Sequence, residues 1–502
     1  MQEIEALQSH LAEIKALSEA AAVLGWDQQT YMPPGGAESR AAQMEALSKV
    51  IHAKMTGPDT ARLLGAAEDT VLGEDPDSDD AALVRVIRRD FDQATKMPEA
   101  LVAELAQVTA LAHGHWAQAR AASDYGHFAP WLSRILDLTR QAADHLGHGG
   151  ERYDALLDQY EPGMTTADAR ALFDALKPDT VALVKSVAAL GPNAVDASVL
   201  AREYAEDVQL SFGESVIKAL GYDFGRGRQD RALHPFCTSF GSGDVRITTR
   251  FDKNFLPMAL FGSIHETGHA LYEQGMTRRY PGGGLGEAAS LGVHESQSRL
   301  WENLVGRGRP FWQGWYPRLQ AAFPEALDST SESDFYRAIN KVEPSLIRVE
   351  ADEITYNLHI LLRFEMEVDL LSGALSIADA PDAWNSKMEQ YFGLTPPDDA
   401  SGILQDVHWS AGLIGYFPTY TVGNVLSIQL YAKADADLGG QLDAQIEEGE
   451  FAPLLGWLGE NVHQWGRKYL PKDLVRRAAG GPLDPAPYLG YLQAKFGEIY
   501  GV

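Results

Sequence analysis

Apolar residues recur at three- and four-residue steps along most of this chain, a spacing that predicts helices. In MPEALVAELAQVTALAHGHWAQARAAS, the residues Leu101, Leu105, Val108 and Leu111 mark one stripe, and Pro98 suits a first helical position. ADEITYNLHILLRFEMEVDLLSG repeats the period and closes on Gly373, suited to a left-handed C-cap. The acidic GEDPDSDD, Gly73 to Asp80, reads as an exposed turn between helices, and ADADLGGQLDAQIEEGE as another surface stretch. Alternation takes over in one place. DVRITTRF, Asp244 to Phe251, is rich in β-branched residues and follows a GSG turn, which predicts a short strand or hairpin.

Composition narrows the possibilities. With 502 residues, 45% of them hydrophobic and 22% charged, the chain is globular and long enough for two or three ordinary domains or one large helical body with two lobes. A net charge of −28 without a cluster of Lys and Arg repels phosphate backbones and anionic lipid, so no nucleic-acid partner is expected. The stretch Val407 to Ala432 has no Asp, Glu, Lys or Arg and is long enough to span a bilayer. Pro418, Asn424, three glycines and several hydroxyls instead make it a buried wall, and no membrane span is expected. The loop YPGGGLGEAAS has no Lys, so its glycines read as a flexible connection and not as a phosphate cradle. The single cysteine, Cys237, cannot form an intrachain disulfide. The N-terminal MQEIEALQSHLAEIKALSEAA has neither a basic nor an apolar leader segment. Both point to the cytoplasm.

Candidate chemistry sits in SIHETGHALYEQG. On a helix, His265 and His269 lie one turn apart on one face with Glu266 beside them, while Phe261, Ile264, Leu271 and Tyr272 anchor the other side. Two imidazoles so spaced can bind Zn²⁺, and the adjacent carboxylate can take a proton from water. A third protein ligand is expected, and the helical pattern LGVHESQSRLWENLV offers Glu295. The alternative for Glu295 is an ion pair with Arg299 one turn on. The ligand types suit one divalent ion per chain, with zinc the default and Co²⁺ or Mn²⁺ compatible.

These residues belong to a series of ordered blocks: HPF (His234–Phe236), DVRIT, HETGH, HESQS, IRVEAD and GILQDVHW. In them the chain resembles the Taq-type thermostable metallocarboxypeptidases of the gluzincin clan, similar in fold to angiotensin-converting enzyme and neurolysin. The resemblance implies one metallocarboxypeptidase domain over residues 1–502, all-α, with two lobes flanking a deep cleft and a very small sheet near the site. It also implies a homodimer acting on peptides. Its ligands would be His265, His269 and Glu295, with Glu266 the general base. In related helical gluzincins a histidine and a tyrosine donate to the oxyanion, and His408 and Tyr420 hold the matching positions here; the alternative is a core histidine and a packed aromatic. A free substrate carboxylate calls for an arginine fork; the resemblance favours Arg348, with Arg246 and His234 nearby. Arg348 could instead pair with Asp352, and Arg246 with Asp244. Thermolysin-like relatives orient a zinc histidine with an aspartate where this chain has Arg299, so the partners of these imidazoles must come from elsewhere. Two other readings compete: a neurolysin-like oligopeptidase cutting internally, and a helical scaffold that binds peptides without cleaving them.

Overall fold

The computed structural model describes residues 2–276, Tyr280 and 283–502; Pro281 and Gly282 of the glycine-rich loop lie outside the described residues. Helices carry the chain nearly throughout, and among the described residues the strands form one small sheet, so the all-α reading holds. The chain divides into two compact units, each assembled from three stretches. The first takes residues 1–95, 196–339 and 426–483, and the second takes 96–195, 340–425 and 484–502.

In the first unit, helix α1 (Gln2–Thr30) buries Ile4, Leu7 and Leu11 against Leu64, Leu83, Ile87 and Leu285. The sheet comprises β1 (Gly227–Arg231), β2 (Cys237–Ser239) and β3 (Val245–Thr249) in the order β1-β3-β2. The hairpin expected from DVRITTRF is β2–β3, whose antiparallel pair turns through Gly241 at a φ of 98°. Strand β1, parallel to β3, was not expected, because GRQDR has no apolar alternation to announce it. Its order comes from pairing with β3, whose Val245 and Ile247 are wholly buried.

Strand β3 leads into helix α2 (Leu256–Gly275), and hydroxyls pin the two together. Ser263 Oγ donates to Thr249 Oγ1 at 3.1 Å and accepts from Gln229 Nε2 at 2.6 Å. Phe261, Ile264, Leu271 and Tyr272 are buried, as the sequence pattern required. Helix α3 (Leu291–Arg299) starts at Ser290, whose hydroxyl accepts from the Val293 amide at 3.1 Å. It continues as a π-helical turn, Leu300–Gly306, a form that recurs at functional sites. Gly268 lets α2 and α3 meet: a Cβ there would stand 2.5 Å from Ser298 Cα and 2.6 Å from the Gln297 carbonyl.

In the second unit, Pro98 caps the helix Glu99–Ala122 rather than opening it, and the buried stripe runs through Leu101, Val108, Ala112 and Ala119. Leu111 turns outward, 50% exposed, so the small Ala112 takes the close-packed position. Helix α4 (Tyr356–Ser372) ends on Gly373 at a φ of 82°, as its sequence predicts, and is buried along nearly its whole length. Helix α5 (Pro418–Asp437), which belongs to this unit up to Val425, holds part of the uncharged segment. Its Thr421 hydroxyl and Asn424 amide donate to Asn357 Oδ1 at 3.0 and 2.8 Å, which accounts for polar groups in a buried wall. No helix among the described residues is long and apolar enough to cross a membrane.

The turn at Gly73–Asp80 is exposed up to Asp77, and a helix begins at Asp79. The stretch ADADLGGQLDAQIEEGE is less superficial than its charges suggest. Leu442 and Ile446, one turn apart, are buried at 1% exposure and drive the short helix Leu442–Glu448.

Candidate metal centre

Helix α2 carries His265 and His269 on one face, and α3 brings Glu295 to them. Glu295 Oε2 lies 3.4 Å from His269 Nε2 and 3.8 Å from His265 Nε2. One ligand atom from each of the three residues falls within 4.8 Å of the others. Two imidazole nitrogens and one carboxylate oxygen, partly or fully buried and converging on a point, form a donor set that fits a divalent ion. The two readings of Glu295 hold together, because its other oxygen, Oε1, accepts from Arg299 Nε at 2.6 Å. One oxygen is thus held by the guanidinium while the other faces the histidines.

The partners that orient the imidazoles are residues the sequence reading passed over. His265 Nδ1 sits 2.9 Å from Glu302 Oε2, in the π-helical turn. His269 Nδ1 sits 2.5 Å from Nδ1 of a further histidine, His294, whose Nε2 is 3.0 Å from Glu273 Oε1. Spacing could have revealed both carboxylates. Glu273 follows His269 by one helical turn, and Glu302 follows Glu295 by about two, so each shares a face with a ligand.

Burial dominates the electrostatics. It pushes the Glu266 carboxyl up to about 7 in the ion-free site, against the nearby His265 and with the help of Glu295. It pushes His269 down to about 4, with His294 acting in the same direction. Glu302 goes the other way. Although burial opposes it, the hydrogen bond from His265 and the charges of Arg307 and Arg299 hold its carboxyl at about 2.

The remaining candidates fall into two groups. In the second unit, Arg348 is 7% exposed and does not pair with Asp352, whose carboxylate instead accepts from the backbone amides of Glu343, Ile354 and Thr355. Arg348 binds Asp406, which precedes His408 by two residues, with its NH2 nitrogen 2.8 Å from Oδ1. Arg363 holds the other oxygen of Asp406 from Nε at 2.6 Å. The Arg348 guanidinium lies 5.5 Å from the Tyr420 ring centre, and His408 Nδ1 is 3.8 Å from Asp406 Oδ1. The structure therefore gathers Arg348, His408 and Tyr420 into one buried cluster around Asp406, a residue the sequence reading passed over. Burial pushes His408 down to about 4, with Arg348 and Arg363 helping against Asp406.

In the first unit, Arg246 forms a fork on Asp244, at 2.9 and 2.7 Å, and lies over the rings of Trp26 and Phe240. His234 is exposed on the segment between β1 and β2.

The family model described as Carboxypeptidase Taq (M32) metallopeptidase matches residues 6–496. Thermostable carboxypeptidase 1 of Thermus thermophilus is 44% identical over 498 residues, covering 97% of this chain and 97% of its own. Carboxypeptidase 1 of Bacillus subtilis is 39% identical over 490 residues, covering 98% of this chain and 97% of its own. Among solved structures, the M32 carboxypeptidase from Deinococcus radiodurans R1 superposes with a TM-score of 0.97 at 44% identity, over 100% of both chains.

Proposed function

The chain belongs to the carboxypeptidase Taq (M32) metallopeptidase family and is a metallocarboxypeptidase, and on that premise we propose how its own residues do the work. His265, His269 and Glu295 hold one divalent ion, zinc by ligand type, with Co²⁺ or Mn²⁺ compatible. When bound, the ion supplies a Lewis acid for the scissile carbonyl and lowers the pKa of a water. Glu266, next to a ligand and buried, accepts the proton of the attacking water and returns it to the leaving amine. Buried and adjacent to a ligand, its carboxylate is placed for both transfers. Arg348 receives the free C-terminal carboxylate, and His408 and Tyr420 donate to the developing oxyanion. The gathering of these three around Asp406 supports assigning them to one task. Arg246, its fork engaged by Asp244, and the exposed His234 take supporting places in substrate binding. The substrates are peptides, and the enzyme works as a cytoplasmic homodimer, a reading supported by the lone cysteine and the family resemblance.

The observation that carries this reading is the triangle of His265, His269 and Glu295, partly to fully buried, with the buried Glu266 beside it. Its test is Glu266→Gln, which keeps shape and all three ligands but cannot accept a proton. Bound zinc should persist while turnover falls by roughly two to four orders of magnitude. Turnover that survives would assign the base elsewhere.

A further inference from the structure

Two tethers lead outward from the proposed metal ligands, and they differ in kind. His265 meets a carboxylate directly, with Glu302 at 2.9 Å. His269 meets another imidazole, at 2.5 Å between Nδ1 atoms, and only behind that ring does a carboxylate follow, with Glu273 Oε1 at 3.0 Å from His294 Nε2. Glu273 is the third member of a row on α2, each one turn after the last: His265, His269, Glu273. His294 comes from α3, immediately before the ligand Glu295. Where α2 and α3 meet, they therefore contribute both ligands and outer partners.

Donor and acceptor accounting fixes the direction of the longer tether. A histidine that gives its Nε2 lone pair to an ion carries its proton on Nδ1. His269 must then donate to His294 Nδ1, which has to present a lone pair. The proton of His294 consequently sits on Nε2 and points at Glu273. The opposite tautomer of His294 would set a lone pair against the carboxylate and leave two N–H groups facing each other. Glu273, which also accepts from Ser239, thus dictates through His294 which nitrogen of His269 is free for the ion.

We propose that His294 and Glu273 are positioning residues that hold His269 in its metal-binding tautomer and so set how tightly the chain retains its divalent ion. The proposal rests on reading His265, His269 and Glu295 as the ligands. Outer partners of this sort are typically worth about 10- to 100-fold in metal affinity.

The test is the zinc dissociation constant of the full chain, measured by competition with a chromophoric chelator, together with the visible spectrum of the cobalt-loaded protein. His294→Leu removes the acceptor. Glu273→Ala removes the anion from a residue that touches no ligand itself, so it is the cleaner arm. Both should weaken zinc by about 10- to 100-fold and shift the cobalt bands. His294→Asn restores an acceptor oxygen toward His269 and should recover most of the affinity lost in His294→Leu. The melting temperature of the ion-free proteins separates a tautomer effect from loss of fold. Wild-type affinity and spectrum in Glu273→Ala would overturn the proposal, as would equal losses in His294→Asn and His294→Leu. Unchanged zinc affinity in Glu295→Ala would instead overturn the ligand assignment beneath it.

Discussion

Around His265 and His269, Glu295 and Glu302 meet the guanidiniums of Arg299 and Arg307 while Glu273 meets His294 and Glu266 lies buried beside them, whereas around Arg348 two guanidiniums share the carboxylate of Asp406. With Glu266 ionised, the first cluster carries a surplus of two negative charges, and the second a surplus of one positive charge. Buried charge is costly unless it is matched. On the roles proposed above, the first cluster would take a divalent cation and the second the carboxylate of a substrate.

The comparison is tested most severely at Arg348. Arg348→Ala should lower kcat/KM on an N-blocked peptide with a free C-terminus by roughly 30- to several-thousand-fold, about 2–5 kcal/mol. The C-amidated peptide should be a poor substrate of the wild type and should change little. Arg348→Lys should recover only part of the loss, because a point charge does not reproduce the planar fork. Mass spectrometry of the products reads this directly, and equal cleavage of both peptides at internal bonds would favour an oligopeptidase.

Tyr420→Phe removes one hydroxyl from the same cluster and little volume. Loss of one oxyanion donor should reduce kcat by about 10²- to 10³-fold while zinc content and KM stay near wild type. An unchanged kcat would leave Tyr420 a packing residue.

His408 tests the cationic surplus by pH. Burial holds its folded-state pKa at about 4, below the ordinary value of 6.5, so the unfolded chain takes up a proton first as pH falls. The neutral folded form therefore loses stability between pH 6.5 and 4, by roughly 3 kcal/mol when the shift is fully expressed. His408→Gln should flatten that slope in denaturant titrations at pH 7, 5.5 and 4. A slope that survives belongs to other groups.

The smallest effect is expected where α2 and α3 touch. Gly268→Ala places a methyl against backbone that has no rotamer to move, so overpacking of about 1–3 kcal/mol is expected, with zinc retention reduced as the ligands part. Thermal unfolding and metal analysis of the same preparation check both. Full zinc content at lowered stability would show that the ligands tolerate the displacement.

How much of this was legible in the sequence depended on distance along the chain. His265, Glu266 and His269 lie within one turn, and helical period alone puts them together. The helix ending at Gly373 and the hairpin at Asp244–Phe251 were legible for the same reason: their signals are local. Asp406 was not, because the Arg348 guanidinium had a nearer carboxylate in Asp352 by sequence, and backbone amides took that one first. Glu302 escaped notice because Arg299 occupies the position where relatives of another type keep their orienting acid. Strand β1 is ordered by a neighbour and not by its own residues, so no pattern within GRQDR could announce it.

The proposed ligands all lie between His265 and Glu295, yet the unit that encloses them draws on chain from both ends: Arg467 binds Asp90 at 2.7 Å, and Lys468 binds Asp79 at 2.7 Å. The consequence is one of timing during synthesis. Contacts between such remote segments carry a high closure entropy and form late. Helices α2 and α3 have left the ribosome well before residues 426–483 exist, and until then the N-terminal helices lack the stretch that completes their unit. Donors for a metal ion are thus made early in an incomplete body, and a nascent chain can meet its ion before it can shelter it.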